Sequence, residues 1–321
     1  MNVEKGFVDA PVDPSVDLAA EIKRLKKEKN AVVLAHYYTI GEIQDLADFI
    51  GDSLALARIA EKLDNDIIVM CGVHFMGETV KILCPDKKVL VPDLNAGCSL
   101  ADSCPAPELE KFIGEHPGHT VISYVNTSAA VKALTDIVVT SGNAMEIVNS
   151  LPADEKIIFG PDRNLGNYIN SQTGREMILW DGACHVHEQF SLEKILELKK
   201  QHPEAKVLVH PECPKPIRLV ADKVGSTAVL LKWAEECEFD SFIVATESGI
   251  LHEMRRRCPQ KTFIPAPPAD STCACNDCSF MKLNTLQKLY NTLRYELPEV
   301  TVDPAIIDRA RRPITRMLEI K

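Results

Sequence analysis

Three cysteines stand in loops of one kind, roughly one structural period apart: Cys98 in NAGCSLADSC, Cys184 in WDGACHVHE and Cys278 in CNDCSFM. They are separated by 86 and 94 residues. Thiolates hold iron–sulfur clusters. Three of them meeting at one point suit three irons of a [4Fe–4S] cubane and leave a fourth iron open as a Lewis acid towards a substrate oxygen or nitrogen. Other arrangements of the 11 cysteines compete with this one. Cys104 follows Cys98 by only six positions, and Cys273, Cys275 and Cys278 form a C-x-C-x-x-C run of the kind that also binds zinc. His185 and His187 beside Cys184 are further candidate zinc ligands, although no matching local knuckle accompanies them. Cys71, Cys84, Cys213, Cys237 and Cys258 sit on apolar elements or beside prolines and read as packing residues.

A second set of polar residues recurs with the same period. Three apolar, β-branched runs, AVVLAHYY, TVISYVN and KVLVHPE, end in the pairs His36/Tyr38, Tyr124/Asn126 and His210/Glu212. A hydroxyl residue, Ser53, Ser141 or Thr227, follows the first member of each pair by 17 positions in all three copies, and the copies are offset by 88 and 86 residues. Residues two apart on a strand point to one side. A hydroxyl where a helix begins either caps it or, with the free N–H groups, holds a carboxylate or phosphate.

The elements that position these residues repeat as well. Each opening strand is followed by a short helix (42–49, 128–134, 215–221), a short strand, and a helix starting at the hydroxyl residue. Then come a third strand (66–70, 156–160, 242–245), a further helix and a fourth strand (88–92, 177–180, 262–265). Short apolar strands alternating with amphipathic helices imply parallel sheets covered on both faces, with ligands outside the carboxyl ends of the strands. The expected fold class is α/β: three pseudo-threefold-related three-layer α/β sandwich domains, 18–105, 106–190 and 191–280, forming a trefoil with the active site at the common centre. Residues 1–17 and 281–321 are extensions, the second packing back on the body.

Composition narrows the function. A formal net charge of −10 disfavours nucleic acid and anionic membrane surfaces as partners. Anionic substrates then need locally built positive potential, which helix N-termini supply. Neither a signal peptide nor a run of about 18 apolar residues is visible, so the expected location is cytoplasmic, where a disulfide framework is disfavoured. Walker A, G-x-G-x-x-G and nucleophile-elbow motifs are missing.

At these residues the chain resembles the quinolinate synthase family. The matching stretches are AHYYTIGEIQDLADFIGDSLALA, GETVKIL, VPDLNAGCSLADSC, VISYVNTSAAVKALTDIVVTSGNA, FGPDRNLG, HPEC, GST, TESGILH and CNDCSFMKLNTL, spanning about 31–290 in the family's order. The resemblance implies a transferase of NAD biosynthesis that condenses iminoaspartate with dihydroxyacetone phosphate to quinolinate, phosphate and water, with one [4Fe–4S] cluster on three cysteines. It implies Cys98, Cys184 and Cys278 as ligands. It also implies His36, Ser53, Tyr124, Asn126, Ser141, His210, Glu212 and Thr227 as substrate contacts. Tyr38 and Tyr124 are similar to family tyrosines beside the reacting carbons, able to donate to an oxyanion or shuttle a proton, with His210 as a further catalytic group. Glu212 reads as a general base, its pKa expected to be raised near the cluster. Where the family has Cys-Pro-aromatic-Met, this chain has Cys278-Ser279-Phe280-Met281, which leaves Cys275 as an alternative ligand; FMKLN after Cys278 at the family's spacing favours Cys278. A transient contact with L-aspartate oxidase and a monomeric or homodimeric state are compatible with the family. Two other classes are open: an iron–sulfur hydro-lyase of aconitase-like chemistry, and a non-catalytic zinc or iron–sulfur module.

Overall fold

The computed structural model describes residues 3–270 and 276–319, so Cys273 and Cys275 lie outside the described residues. Twelve strands form three four-stranded sheets, every paired neighbour parallel. The first holds β1 (Ala31–His36), β2 (Phe49–Gly51), β3 (Ile67–Cys71) and β4 (Lys88–Leu90). The second holds β5 (Thr120–Tyr124), β6 (Ile137–Val139), β7 (Ile157–Gly160) and β8 (Ile178–Leu179). The third holds β9 (Lys206–Val209), β10 (Lys223–Val224), β11 (Ser241–Ala245) and β12 (Thr262–Pro265). Each sheet has one order, second–first–third–fourth strand, so each opening strand is central. The chain is thus α/β, built of three repeated units.

The burial of the strands follows from that order. Every residue of β1 is buried, as a parallel strand covered by helices on both faces requires. Its side chains divide between two cores: Val32 and Leu34 pack with Ile68 and Met70, while Val33 and Ala35 pack with Ile22 and Leu293. A recurring aspartate sets the register of the second strand. Asp48, Asp136 and Asp222 each accept the amide N–H of the residue 15 positions earlier (Val33, Val121, Val207) at 2.8 Å through a carboxylate oxygen. Each also returns its own N–H to that residue's carbonyl at 2.9 Å. The opening strand and its short crossover therefore close into a two-point clamp just before β2, β6 and β10 begin.

The tail packs back as two helices. Leu286–Tyr295 lies against Leu18–Glu28, and Pro304–Glu319 lies across β6, Ala129–Lys132 and His74–Leu83. Its apolar face (Ala310, Ile314, Met317) joins the core shared by the first two sheets. Among the described residues no helix is long and apolar enough to cross a membrane.

Candidate active site

The carboxyl ends of all three sheets open on one cavity of about 740 Å³, part of it open to solvent. All twelve residues singled out in the sequence line it: His36, Tyr38, Ser53, Cys98, Tyr124, Asn126, Ser141, Cys184, His210, Glu212, Thr227 and Cys278. Cys104 does not. It is buried with Leu109 and Val131 in a separate apolar cluster.

The hydroxyl residues are not helix caps. Asp52 caps the helix Ser53–Ala60 by accepting from Ala55 N, and Ser226 caps Thr227–Glu236 by accepting from Val229 N. Ser53 and Thr227 are therefore first helical residues with their hydroxyls released for other partners. In the second unit the helix starts three residues late, at Ala144, and Ser141 stands in the preceding turn. There its Oγ lies 3.2 Å from His210 Nε2. The expected alignment of three helix N-termini on the cavity thus holds for two of the three hydroxyls.

Local geometry fixes the imidazole tautomers. The Tyr38 amide donates to His36 Nδ1 (3.1 Å), and the Glu212 amide donates to His210 Nδ1 (3.3 Å). A ring nitrogen that accepts carries no proton, so in the neutral ring the hydrogen sits on Nε2. Burial disfavours the charged form and pushes both rings down to about 3, against the raising influence of Glu212. His36 and His210 are thus neutral Nε2–H donors at neutral pH, and His210 offers its hydrogen towards Ser141.

Glu212 is 2 % exposed and carries the densest set of contacts. Tyr124 Oη donates to its Oε1 at 2.5 Å. His187 Nδ1 stands 3.0 Å from its Oε2, off the line of a good hydrogen bond. The His187 ring stacks on His210 at 4.6 Å between centroids and 25° between planes. Burial alone would raise the Glu212 carboxyl; the neighbouring imidazoles of His187 and His210 and the hydrogen bond from Tyr124 outweigh it and hold the group below the usual carboxylate range. This is the opposite direction to the raised value expected from sequence. The tyrosines go the other way. Tyr124 is raised well above the ordinary phenol, first by burial and then by the Glu212 charge. Tyr38 is raised chiefly by burial, its Oη bonded to Thr227 Oγ1 (2.6 Å) and Thr246 Oγ1 (2.8 Å).

Several residues in or behind the cavity wall carried no expectation as substrate contacts: His185, His187 and Glu247 line it, and Thr246 and Asp162 stand behind it. Thr246 bridges Tyr38 and His187, whose Nε2 lies 3.0 Å from its Oγ1. Glu247 accepts from Cys278 N (2.9 Å) and from Lys282 Nζ (2.8 Å). The sequence signals were the TESGILH stretch and the histidine spacing of CHVH. Two residues past β7, the fully buried Asp162 accepts from Leu165 N (2.7 Å) with one oxygen and from Cys184 N (3.1 Å) with the other. His185 lies on the cavity wall, its Nδ1 2.6 Å from Ser99 Oγ.

Among the described residues, Cys184, His187 and Glu212 each have a ligand atom within 4.8 Å of the others. Cys98, Cys184 and Cys278 line the same cavity, none of them in a disulfide. Burial pushes the Cys98 thiol up to about 12, with Cys278 adding to the rise. Burial also raises Cys184, helped by Glu212 and Cys98, and raises Cys278. Thiols this reluctant to ionise alone, yet electrostatically coupled to one another, are a set whose ionisation a polycation would drive, with release of protons.

Comparison with known proteins places this arrangement. Residues 20–319 match the model of the Quinolinate synthetase A protein (NadA) family. The chain is 56 % identical over 312 residues to the quinolinate synthase of Thermosynechococcus vestitus, covering 97 % of this chain and 98 % of that one. It is 56 % identical over 305 residues to that of Nostoc punctiforme (95 % and 94 %) and 54 % identical over 305 residues to that of Chloroherpeton thalassium (95 % of each). A match of this length and identity leaves one conclusion: the chain belongs to the quinolinate synthase family.

Proposed function

We propose that this chain condenses iminoaspartate with dihydroxyacetone phosphate, releasing quinolinate, phosphate and two waters, as a transferase of NAD biosynthesis. The observation that carries the reading is the convergence of all twelve expected residues, from three sheets, on one cavity. A pseudo-threefold trefoil of units 18–105, 106–190 and 191–280, with the active site at its centre and 281–321 as a returning tail, is the arrangement we infer from the shared strand order and constant offsets. We read the chain as a cytoplasmic protein with small anionic substrates as its main partners.

Three free thiols, one from each unit, lining one cavity suit a [4Fe–4S] cluster on Cys98, Cys184 and Cys278. When bound, the cluster would supply an iron without a protein thiolate, a Lewis acid for carboxylate, imine or hydroxyl groups.

The chain's own residues bind, orient and move protons. His36 and His210, neutral with hydrogen on Nε2, donate to carboxylate or phosphate oxygens. Ser53 and Thr227 add hydroxyls at helix N-termini, where free N–H groups favour anions. Asn126 and Ser141 complete the polar wall, so that two substrates meet in fixed orientation and the condensation becomes effectively unimolecular. Ionised Glu212 is the proton acceptor. Tyr124, hydrogen-bonded to it, carries protons between that carboxylate and the reacting carbons and oxygens during tautomerisation and dehydration. Tyr38 donates to a developing oxyanion from a phenol held by two threonines.

Anaerobic reconstitution with iron and sulfide, followed by assay with and without dihydroxyacetone phosphate, tests the proposal. About four irons per chain and quinolinate formation only with both substrates are expected. Turnover of a hydroxyacid without the ketose phosphate would establish the hydro-lyase reading instead. One zinc or iron per chain and no turnover would assign the Cys184–His187–Glu212 set to a mononuclear site.

A further inference from the structure

Each of the three polar pairs is followed, at one constant interval, by a long side chain that folds back on it. Eight positions after His36, Tyr124 and His210 stand Gln44, Lys132 and Arg218. Gln44 Nε2 donates to the carbonyls of Tyr37 and Thr39, at 2.9 Å each, which bracket Tyr38. Lys132 Nζ donates to the carbonyls of Val125 (2.8 Å) and Thr127, which bracket Asn126. Arg218 Nε donates to the carbonyl of Cys213 (2.9 Å), the residue after Glu212. Gln44 and Lys132 each hold both carbonyls flanking the aimed residue, and Arg218 holds the second of the pair.

We propose that Gln44, Lys132 and Arg218 are positioning residues, each fixing the turn that aims Tyr38, Asn126 or Glu212 into the cavity; this rests on the reading of those three as active-site groups. The chain leaves the sheet at each of these turns, so the carbonyls beside the aimed residue fall outside the strand ladder; Val125 O also accepts from Thr127 N (2.8 Å), whereas Thr127 O is met by Lys132. A buried carbonyl without a donor costs free energy, and an unheld turn can relieve that cost by rotating, which swings the intervening side chain. A donor side chain from the following helix removes the incentive. Two features separate this from ordinary core packing. Lys132 is 0 % exposed, and burying an ammonium is costly unless its hydrogen bonds are needed where it sits. Gln44 is 1 % exposed, and while its Nε2 also reaches Gly249 O (3.0 Å), its Oε1 has no hydrogen-bond partner. The first position thus keeps an amide for its donor end alone, at the expense of an orphaned oxygen.

The test uses the reconstituted, full-length protein with quinolinate as the binding probe and both substrates for kinetics. Four variants serve: Lys132→Met and Gln44→Met, which keep bulk and lose the donor; Lys132→Gln, which carries the donor the first unit uses; and Asn126→Ala as reference. Lys132→Met is expected to load iron normally, melt in one transition, and bind quinolinate about 10- to 100-fold more weakly, the scale of a displaced contact. Lys132→Gln should recover to within about threefold of wild type, which loss of general stability would not do. Gln44→Met should lower kcat about tenfold or more through Tyr38 with a smaller change in KM. Wild-type binding by folded Lys132→Met overturns the proposal, as does folded Lys132→Gln as impaired as the methionine variant. If Lys132→Met fails to fold, wild-type kcat in Gln44→Met overturns it. Asn126→Ala with unchanged quinolinate affinity would remove the underlying assignment of Asn126 instead, a result distinguishable from either.

Discussion

Replacing Tyr124 by phenylalanine isolates the proton-handling pair. The substitution keeps the buried ring and deletes one atom, the hydroxyl that donates to Glu212 Oε1 at 2.5 Å. A hydrogen bond to an ionised acceptor contributes about 1.5–3 kcal/mol. Its loss destabilises the carboxylate by that amount and raises the Glu212 pKa by about one to two units. The group starts below the ordinary range, held there by His187 and His210 as well as by Tyr124. After the change it is therefore still largely ionised at pH 7.5. Any large loss of rate at that pH then reports the missing phenol proton and not a neutralised base.

The expected outcome is turnover lowered about 10²–10⁴-fold, the usual scale of an acid–base group. Iron and sulfide content should be unchanged, because the Tyr124 hydroxyl bonds Glu212, while the Cys184 and Cys278 amides are held by Asp162 and Glu247. Steady-state rates from pH 5.5 to 8.5, with cluster absorbance recorded on the same samples, decide the matter. Turnover within threefold of wild type refutes the role of Tyr124. A deficit that vanishes between pH 7.5 and 8.5 refutes the reasoning about Glu212, since it would mean that the carboxyl had been neutralised near pH 7.

Acid should weaken the fold through two histidines. His36 and His210 have folded-state pKa values of about 3, below the unfolded value of about 6.5, so the unfolded chain takes up protons that the fold refuses. Their contribution is complete above about pH 6.5 and is lost as pH falls towards 3, costing about 2 kcal/mol per ring by pH 5. Melting at pH 7.5 and 5.0 measures it, and His210→Gln should flatten the dependence by about half. Cys98→Ser should abolish cluster absorbance, whereas Cys104→Ser, buried with Leu109 and Val131, should retain it; the reverse result would move the ligand. Asp162→Asn turns one accepting oxygen into a donor facing an amide N–H. It should lower the melting temperature by a few degrees, as loss of a cap worth about 1 kcal/mol does, and slow cluster assembly on Cys184. Unchanged reconstitution kinetics would restrict Asp162 to capping.

The strands were legible because their signal is local: short β-branched runs cannot be hidden, and β1, β5 and β9 begin at the first residue of the runs read from sequence. The pairs at their ends were legible for a related reason. A period-2 spacing at a strand terminus puts both residues on the ligand side of a parallel sheet whatever their identity. The hydroxyls at the 17-residue offset left two local roles open from sequence, cap or anion contact. Capping is decided by which side chain reaches an orphan N–H, and Asp52 and Ser226, one position earlier, do so. The direction of the Glu212 shift differs from expectation for a comparable reason. Its sign depends on Tyr124, His187 and His210, which approach from three separate stretches of chain, and no spacing along one stretch contains them.

Residue letters hide chemistry that is repeated without identity. Asp48, Asp136 and Asp222 are one residue type at one offset and were open to discovery from sequence alone. Gln44, Lys132 and Arg218 share only a donor at the end of a long side chain, and an identity-based comparison scores them as three mismatches. Yet the constraint acting on all three is the same: a turn leaving a parallel strand strands its carbonyls, and the next helix must answer them. A repeat that diverges under that constraint keeps donor reach and loses residue type. The chemistry of these three units is therefore better aligned by what each position must hydrogen-bond than by which amino acid does it. By that measure the copies are far closer to one another than their letters show.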